Sequence, residues 1–283
     1  MNKAIIIFLF CFFVCFNTKA QYHRPTYTSI DKYEILDSAY IECFYELKFI
    51  KDVKNVKIVH EDIKVLQIGK QISKFFSFYA LKYDSLCQNL IKKGGDFIPN
   101  NSKNGAQGYE VFKNYPQGKI TYTDKGTCLF DNFIYEEDIP DLKWKIISDK
   151  IVLLDHMCQK ATTSFRGRDY EAWFTIDIPI PNGPWKFGGL PGLILKVQDI
   201  EQHFVFECIS IHPFKTVKKP ILFYKIDYIK TKREDLAKLY RKYHDNPTSY
   251  HESLGKELMF MGKDGVARMD RNAKYPYNPI ELE

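Results

Sequence analysis

The chain lacks the short signatures on which common catalytic machinery is built. Its 283 residues contain no G-x-S-x-G elbow, no Walker loop, no C-x-x-C pair and no H-x-x-x-H pair. His251-Glu252 begins like a zinc-protease helix, but Gly255 stands where the second His is needed. The familiar serine-hydrolase, nucleotide-binding and zincin arrangements are therefore excluded, and no residue pattern calls for a cofactor. Basic residues never cluster beyond Lys218-Lys219, and a formal net charge of +6 is spread over the whole chain. That is a solvated, mildly basic surface and not a nucleic-acid footprint. Past residue 20, no apolar run approaches the roughly 20 residues that span a bilayer. No repeat and no linker marks a second domain.

What is present begins with a leader. Met1-Asn2-Lys3 is a short basic region, residues 4–16 are uninterrupted apolar, and Thr18-Lys19-Ala20 ends on a small residue. This reads as a secretory signal over residues 1–20, with Gln21 first in the mature chain. A lipoprotein leader needs a small residue before its Cys, and Phe10 and Val14 stand there instead. Five of the seven cysteines lie beyond the leader: Cys43, Cys87, Cys128, Cys158 and Cys208. An exported chain can keep disulfides, and an odd number leaves at least one thiol over. Cys128 with Cys158 is the first-choice pair, because both lie in neighbouring strand-like runs. The competing reading makes all five small buried residues.

Twenty-two Phe and 19 Tyr, many in alternating runs, favour a sheet protein. Between residues 38 and 50, Ile41, Cys43, Tyr45, Leu47 and Phe49 fall on one face, the period of a half-buried strand. Further strand-like runs cover 56–60, 64–68 and 73–78. A short helix follows, capped by Asp84 or Ser85 and stopped by Gly94-Gly95. Residues 94–108, rich in Gly and Asn, read as a surface loop. Runs at 109–114, 119–123 and 127–135 make a meander. Those at 144–147 and 151–161 read as a hairpin across Ser148-Asp149-Lys150, and 203–211 and 221–228 as the last strands. Thr231 and Glu234 have capping-box spacing before a second helix, whose Leu236, Leu239, Tyr240 and Tyr243 form one apolar stripe. Residues 269–283 read as an extended tail.

The best-specified stretch is 166–199, which holds two of the three Trp, five of the 15 Gly and four of the 13 Pro. Arg166 and Arg168 flank a Gly, and two guanidiniums so placed can clamp an anion bidentately. The competing reading is a surface turn whose arginines form salt bridges to strands such as the one bearing Glu136-Glu137-Asp138. Trp173 and Trp185 are the aromatic candidates for ligand contact. The segment Gly188-Gly189-Leu190-Pro191-Gly192 precedes a strand, not a helix, so it offers no helix N-terminus to a phosphate. It reads as a tight corner, with glycines supplying positive φ and Trp185 and Phe187 as its packing plug. His156 and Cys158 share a strand face and could begin a metal site, but no further ligands lie nearby in sequence. Cys158 with a distant His is the nucleophile alternative.

Gly189-Leu190-Pro191-Gly192-Leu193-Ile194 resembles the signature of the GLPGLI family of exported bacterial proteins. Also similar to that family are Cys158-Gln159-Lys160-Ala161, Arg166-Gly167-Arg168, Tyr170 with Ala172-Trp173-Phe174-Thr175, Gly183-Pro184-Trp185-Lys186-Phe187 and the closing Tyr277-Asn278-Pro279-Ile280-Glu281. The resemblance implies export and a sheet-rich fold. It implies no activity and supplies no catalytic residues.

The expected architecture is one mainly β domain over 21–283: a single curled antiparallel sheet, a half-barrel or open barrel like the lipoprotein carriers, with two helices. A two-sheet sandwich is the alternative. The expected role is non-catalytic binding in the periplasm or envelope, of an apolar or peptide ligand or of an outer-membrane partner. An exported hydrolase or peptidase, or a metal-handling protein, is the alternative.

Overall fold

The computed structural model describes residues 28–95, 107–125, 129, 131–216, 218–261 and 265–283. The leader, Cys128 and most of the 94–108 loop lie outside them, and with Cys128 the proposed Cys128–Cys158 pairing. Alternation of apolar and polar residues builds most of the rest. Strands β1 (Tyr33–Ala39), β2 (Ile41–Ile50), β3 (Val59–Ile68) and β4 (Ser73–Ser77) precede helix α1 (Phe78–Lys92). The meander is β5 (Glu110–Lys113), β6 (Lys119–Lys125) and β7 (Asn132–Asp138). Then come β8 (Lys145–Leu153), β9 (His156–Phe165), β10 (Arg168–Thr175), β11 (Leu193–Asp199), β12 (Phe204–Pro213), β13 (Lys219–Tyr224) and β14 (Ile229–Lys230). Helices α2 (Arg233–Asp245) and α3 (Pro247–Ser253) and the short β15 (Phe260–Met261) and β16 (Ala267–Arg268) complete the chain. No helix among the described residues is long and apolar enough to cross a membrane.

Twelve strands form one sheet in the order β14-β7-β6-β5-β4-β3-β2-β12-β11-β10-β9-β8, while β1 pairs with β13 and β15 with β16. The expected half-barrel is thereby corrected. The large sheet is open at β14 and β8, and the body is sandwich-like. Phe75 of β4 meets Phe206 of β12 at 6.0 Å between ring centroids, although β3 and β2 separate their strands. The Tyr45 hydroxyl donates to the carbonyl of Ile194 across the core at 2.7 Å. One inner face, read off the period-two pattern, therefore serves both halves of the sheet: Cys43, Tyr45 and Leu47 from one, Tyr170, Ala172 and Phe174 from the other, all buried.

The corner between β10 and β11 is packed between these halves. Trp185, Phe187 and Leu190 are fully buried there, and apolar side chains of that size each contribute about 2–3 kcal/mol by leaving water. The backbone around them is held by a side chain from β5. The Lys113 ammonium donates to Asn182 Oδ1 at 2.8 Å, to the Gly183 carbonyl at 2.7 Å and to the Phe187 carbonyl at 2.6 Å. Burial pushes this lysine down to about 7, while three acceptors match its three N–H bonds and favour the charged form. Trp144 Nε1 adds a donor to the Gly188 carbonyl at 2.9 Å. The glycines differ from expectation. Gly189 has φ of 84°, as the turn demands, but Gly192 is not in the left-handed region. Its requirement is space: a Cβ there would stand 1.9 Å from the carbonyl oxygen of Thr175.

The helices also depart from the sequence reading. α1 starts at Phe78, with Ser77 as its cap, accepting from the Ala80 amide at 3.1 Å. The strand-like run 73–78 is strand up to Ser77, and only Phe78 belongs to the helix, inside which Asp84 lies buried. The capping box at Thr231 does not form. Lys232 precedes α2 without a side-chain cap, and Glu234 pairs with Arg233 at 2.7 Å. Asn246 ends α2 and also caps α3 by accepting from the Ser249 amide at 2.9 Å. The hairpin across 148–150 is instead one strand, β8, with a register shift between Ile146 and Lys150. The turn sits at Leu154-Asp155, both at positive φ.

Gly192→Ala is expected to cost about 3 kcal/mol or more, since an inserted carbon has backbone in its way. Gly189→Ala, with open space around it, should cost only the 1–2 kcal/mol of a left-handed L-residue. Urea unfolding of both variants checks the order, and equal losses would contradict the close approach.

Candidate functional site

The same inner face leaves the core at its far end and becomes the floor of a cleft of about 720 Å³. Phe49 and His60 are cross-strand partners on β2 and β3, and Tyr122 and Tyr135 on β6 and β7. With Tyr109 and Asp124 they form the floor. The apolar stripe of α2 forms the roof, through Leu236, Ala237, Tyr240 and Tyr243, and Trp185 closes the back. The tail supplies the remaining wall with Tyr275, Pro276, Tyr277 and Ile280. The volume is that of a small-molecule pocket, and aromatic residues dominate its lining.

Tyrosine rings on the floor stack in a ladder, Tyr109 on Tyr122 at 5.6 Å and Tyr122 on Tyr135 at 4.8 Å, with nearly parallel planes. Beneath them, Lys64 pairs with Asp62 at 3.0 Å and sits 4.0 Å from the Tyr109 ring centroid. Such a cation–π contact gains strength when water is excluded. The Tyr240 hydroxyl donates to Asp124 and fastens α2 to β6. Burial raises the Asp124 carboxyl to about 6, against the opposing pull of Tyr240 and Lys64. Burial also lowers His60 and His244, so both imidazoles are neutral at pH 7.

The tail is a strap tied to both halves of the sandwich. Asn278 donates through Nδ2 to the Ile50 carbonyl at 2.7 Å and accepts from Arg168. Arg168 also donates to the Pro279 carbonyl at 2.8 Å, and the Tyr170 hydroxyl donates to the Ile280 carbonyl at 3.1 Å. Glu281 is gripped by Lys186 and, at 3.4 Å, by Arg233. Lys186 also donates to the Tyr135 hydroxyl at 3.0 Å and pairs with Glu137.

The sequence candidates fall into separate places. Arg166 pairs with Glu137 at 3.0 Å and Arg168 with Asp199 at 2.8 Å, so both guanidiniums serve partners inside the protein. Trp173 points to the opposite face of β10, where Lys160 lies 5.3 Å from its ring centroid. Trp185 does line the cleft. Gly189, Leu190, Pro191, Gly192, Leu193 and Ile194 shape the corner behind it. His156 bonds Asp177 at 3.1 Å, while Cys158 is a buried free thiol that desolvation pushes up to about 11. A thiol held that far above neutral pH is a poor nucleophile. Among the described residues, Asp199, Glu201 and His203 come within metal-holding distance of one another. Arg168 already occupies Asp199 and lies 3.4 Å from His203 Nδ1, a fixed positive charge where a cation would sit. Lys113, Lys186 and the tyrosine ladder were not singled out from sequence. Each sits in an ordinary alternating run or turn, and only strand register brings them together.

A family model described as "Protein of unknown function (Porph_ging)" matches residues 159–196, a span that encloses the arginine pair and the hexapeptide. No curated protein matches the chain. Among solved structures, it is similar to PNGF-II in a C2 crystal form, at 15% identity and a TM-score of 0.45, covering 72% of this chain and 33% of that one. The P21 form gives 14% identity and a TM-score of 0.45, covering 74% and 34%. The chain thus spans about a third of the length of the PNGF-II chains it matches.

Asp124 gives the site a pH signature. Its folded pKa of about 6 lies above its ordinary 3.8, so between those values the folded chain holds more proton than the unfolded one. Its contribution is therefore present below about pH 4 and is lost as pH rises through 6, by about 3 kcal/mol at most at 1.36 kcal/mol per unit. Chemical unfolding at pH 4, 5, 6 and 7 should show this slope in the wild type and a flatter one in Asp124→Asn. Identical slopes would remove Asp124 as its source.

Proposed function

We propose that this is a non-catalytic binding protein of the cell envelope whose aromatic cleft holds an apolar ligand. The observation that carries the reading is the cleft itself: about 720 Å³, bounded by sheet, helix α2 and the tail, with an aromatic lining. Pockets of this kind bury most of a small ligand's surface and use a few polar groups for orientation. No nucleophile or metal set converges on it among the described residues, and Cys158 lies in the core rather than in the cleft. The leader-like segment 1–20 supports export to the periplasm or beyond, and the GLPGLI resemblance supports the same placement. An apolar peptide or an exposed segment of an outer-membrane partner belongs to the same reading, since its aromatic side chains would enter the same space.

Ala237 lies on the cleft side of α2, so Ala237→Trp should fill the cavity while the other residues of the helix stripe stay in place. Fluorescence titration with an apolar dye is expected to saturate at one site on the full chain. The variant is expected to lose at least tenfold in affinity with unchanged far-ultraviolet circular dichroism. Undiminished binding to a folded Ala237→Trp protein would place the ligand elsewhere and overturn the reading.

A further inference from the structure

The floor of the cleft holds two hydroxyls that no described residue bonds. Tyr135 accepts from Lys186 at 3.0 Å, and Tyr240 donates to Asp124. The Tyr109 and Tyr122 hydroxyls make no hydrogen bond within the described residues, although both residues line the cavity. Neither is among the described buried polar atoms that lack a partner, and both side chains belong to residues that line the cavity. Their rings are fixed by stacking on one another and, for Tyr122, on Tyr135. Two O–H groups are thus held at a set spacing with no partner among the described residues. A phenol set deep in an aromatic cleft and left without a partner costs stability compared with a phenylalanine. Nothing in the packing requires the oxygens.

The charges around them show what sort of molecule would use them. Glu281 is matched by Lys186 and Arg233. Asp124 is held by Tyr240. Lys51 and Asp52 stand together at the rim with opposite signs, and burial keeps His60 neutral. An anionic ligand would lose its hydration without gaining a free counter-ion, and a cationic one would meet only Asp124, whose charge is already drawn by Tyr240 and Lys64; loss of hydration is large in a water-poor site. An uncharged ligand loses only the water over its apolar body. Its acceptor oxygens regain hydrogen bonds from the two phenols.

We propose that Tyr109 and Tyr122 are the orienting donors of the cleft. The ligand class they select is uncharged, with an apolar body and acceptor oxygens of the ester, amide or ketone kind on one side. This inference rests on the binding reading above and adds the polar half of the recognition.

The test uses two uncharged dyes on the full-length protein. Nile red has a ring carbonyl, whereas N-phenyl-1-naphthylamine has no oxygen. Tyr109→Phe and Tyr122→Phe keep the rings and remove one oxygen each. Each is expected to weaken Nile red about 5- to 10-fold, the value of one hydrogen bond, and to change phenylnaphthylamine affinity less than twofold. Neither should lower the melting temperature, because no internal bond is lost. Unchanged Nile red affinity in both variants, or equal losses for the two dyes, overturns the donor role. If phenylnaphthylamine binds and Ala237→Trp blocks it while Nile red ignores both hydroxyls, the cleft reading stands and this one falls. If neither dye binds the wild type, both fall.

Discussion

The grip of one buried lysine on the corner between β10 and β11 is the contact on which the other features depend. Lys113 gathers three oxygens from residues 182, 183 and 187, and Gly192 lets the returning chain run against the Thr175 carbonyl with no room for a side chain. Together they fix Trp185, Lys186 and Phe187. Trp185 becomes the back wall of the cleft, Lys186 reaches the tyrosine ladder and the strap, and Phe187 fills the space between the sheet halves, 4.8 Å from Tyr170 between ring centroids. A corner that seems to be only a turn thus specifies core, floor and closure. The strain is local: Trp185 itself sits at φ of 50°, a conformation that a bulky residue keeps only where its surroundings over-determine it.

Charge is handled the same way on both faces of the large sheet. On the inner face, Lys64 and Asp62 are sealed from solvent beneath Tyr109. On the outer face, Glu110 receives Lys74 at 3.1 Å and Lys125 at 2.6 Å, with the Tyr224 ring of β13 close to both ammoniums. Buried ion pairs of this kind are weak sources of net stability, yet removing one partner is costly. Their value here is positional. Glu110 of β5 draws in Lys74 of β4 and Lys125 of β6, which holds the floor of the cleft level while α2 and the strap attach from above. The strap works by the same means, with Arg168 taking Asn278 and the Pro279 carbonyl and with Lys186 and Arg233 sharing Glu281.

Much of the fold was legible because it rests on period-two alternation. Ile41 to Phe49 announce their strand and their buried face, and Gly118 and Gly126 punctuate the meander in the sequence. Distant pairing was not legible. Nothing local shows that Tyr109, Tyr122 and Tyr135, each 13 residues apart, stack in one ladder, because the ladder is set by register across three strands. The curled half-barrel failed for a similar reason. Strand count and a late helix fit it equally well, but only the pairing of β2 with β12 shows where the sheet's two halves join. The arginine pair was legible as a site for carboxylates. The competing salt-bridge reading is met by Arg166 and Glu137, whereas Asp199, the partner of Arg168, was not legible.

Native mass spectrometry of the full chain, isolated without detergent from its native cells, tests the binding account most directly. The expected result is a population carrying one discrete neutral mass that organic extraction removes and that Ala237→Trp never acquires. A bare chain mass from that source, with Ala237→Trp indistinguishable from the wild type, would contradict it.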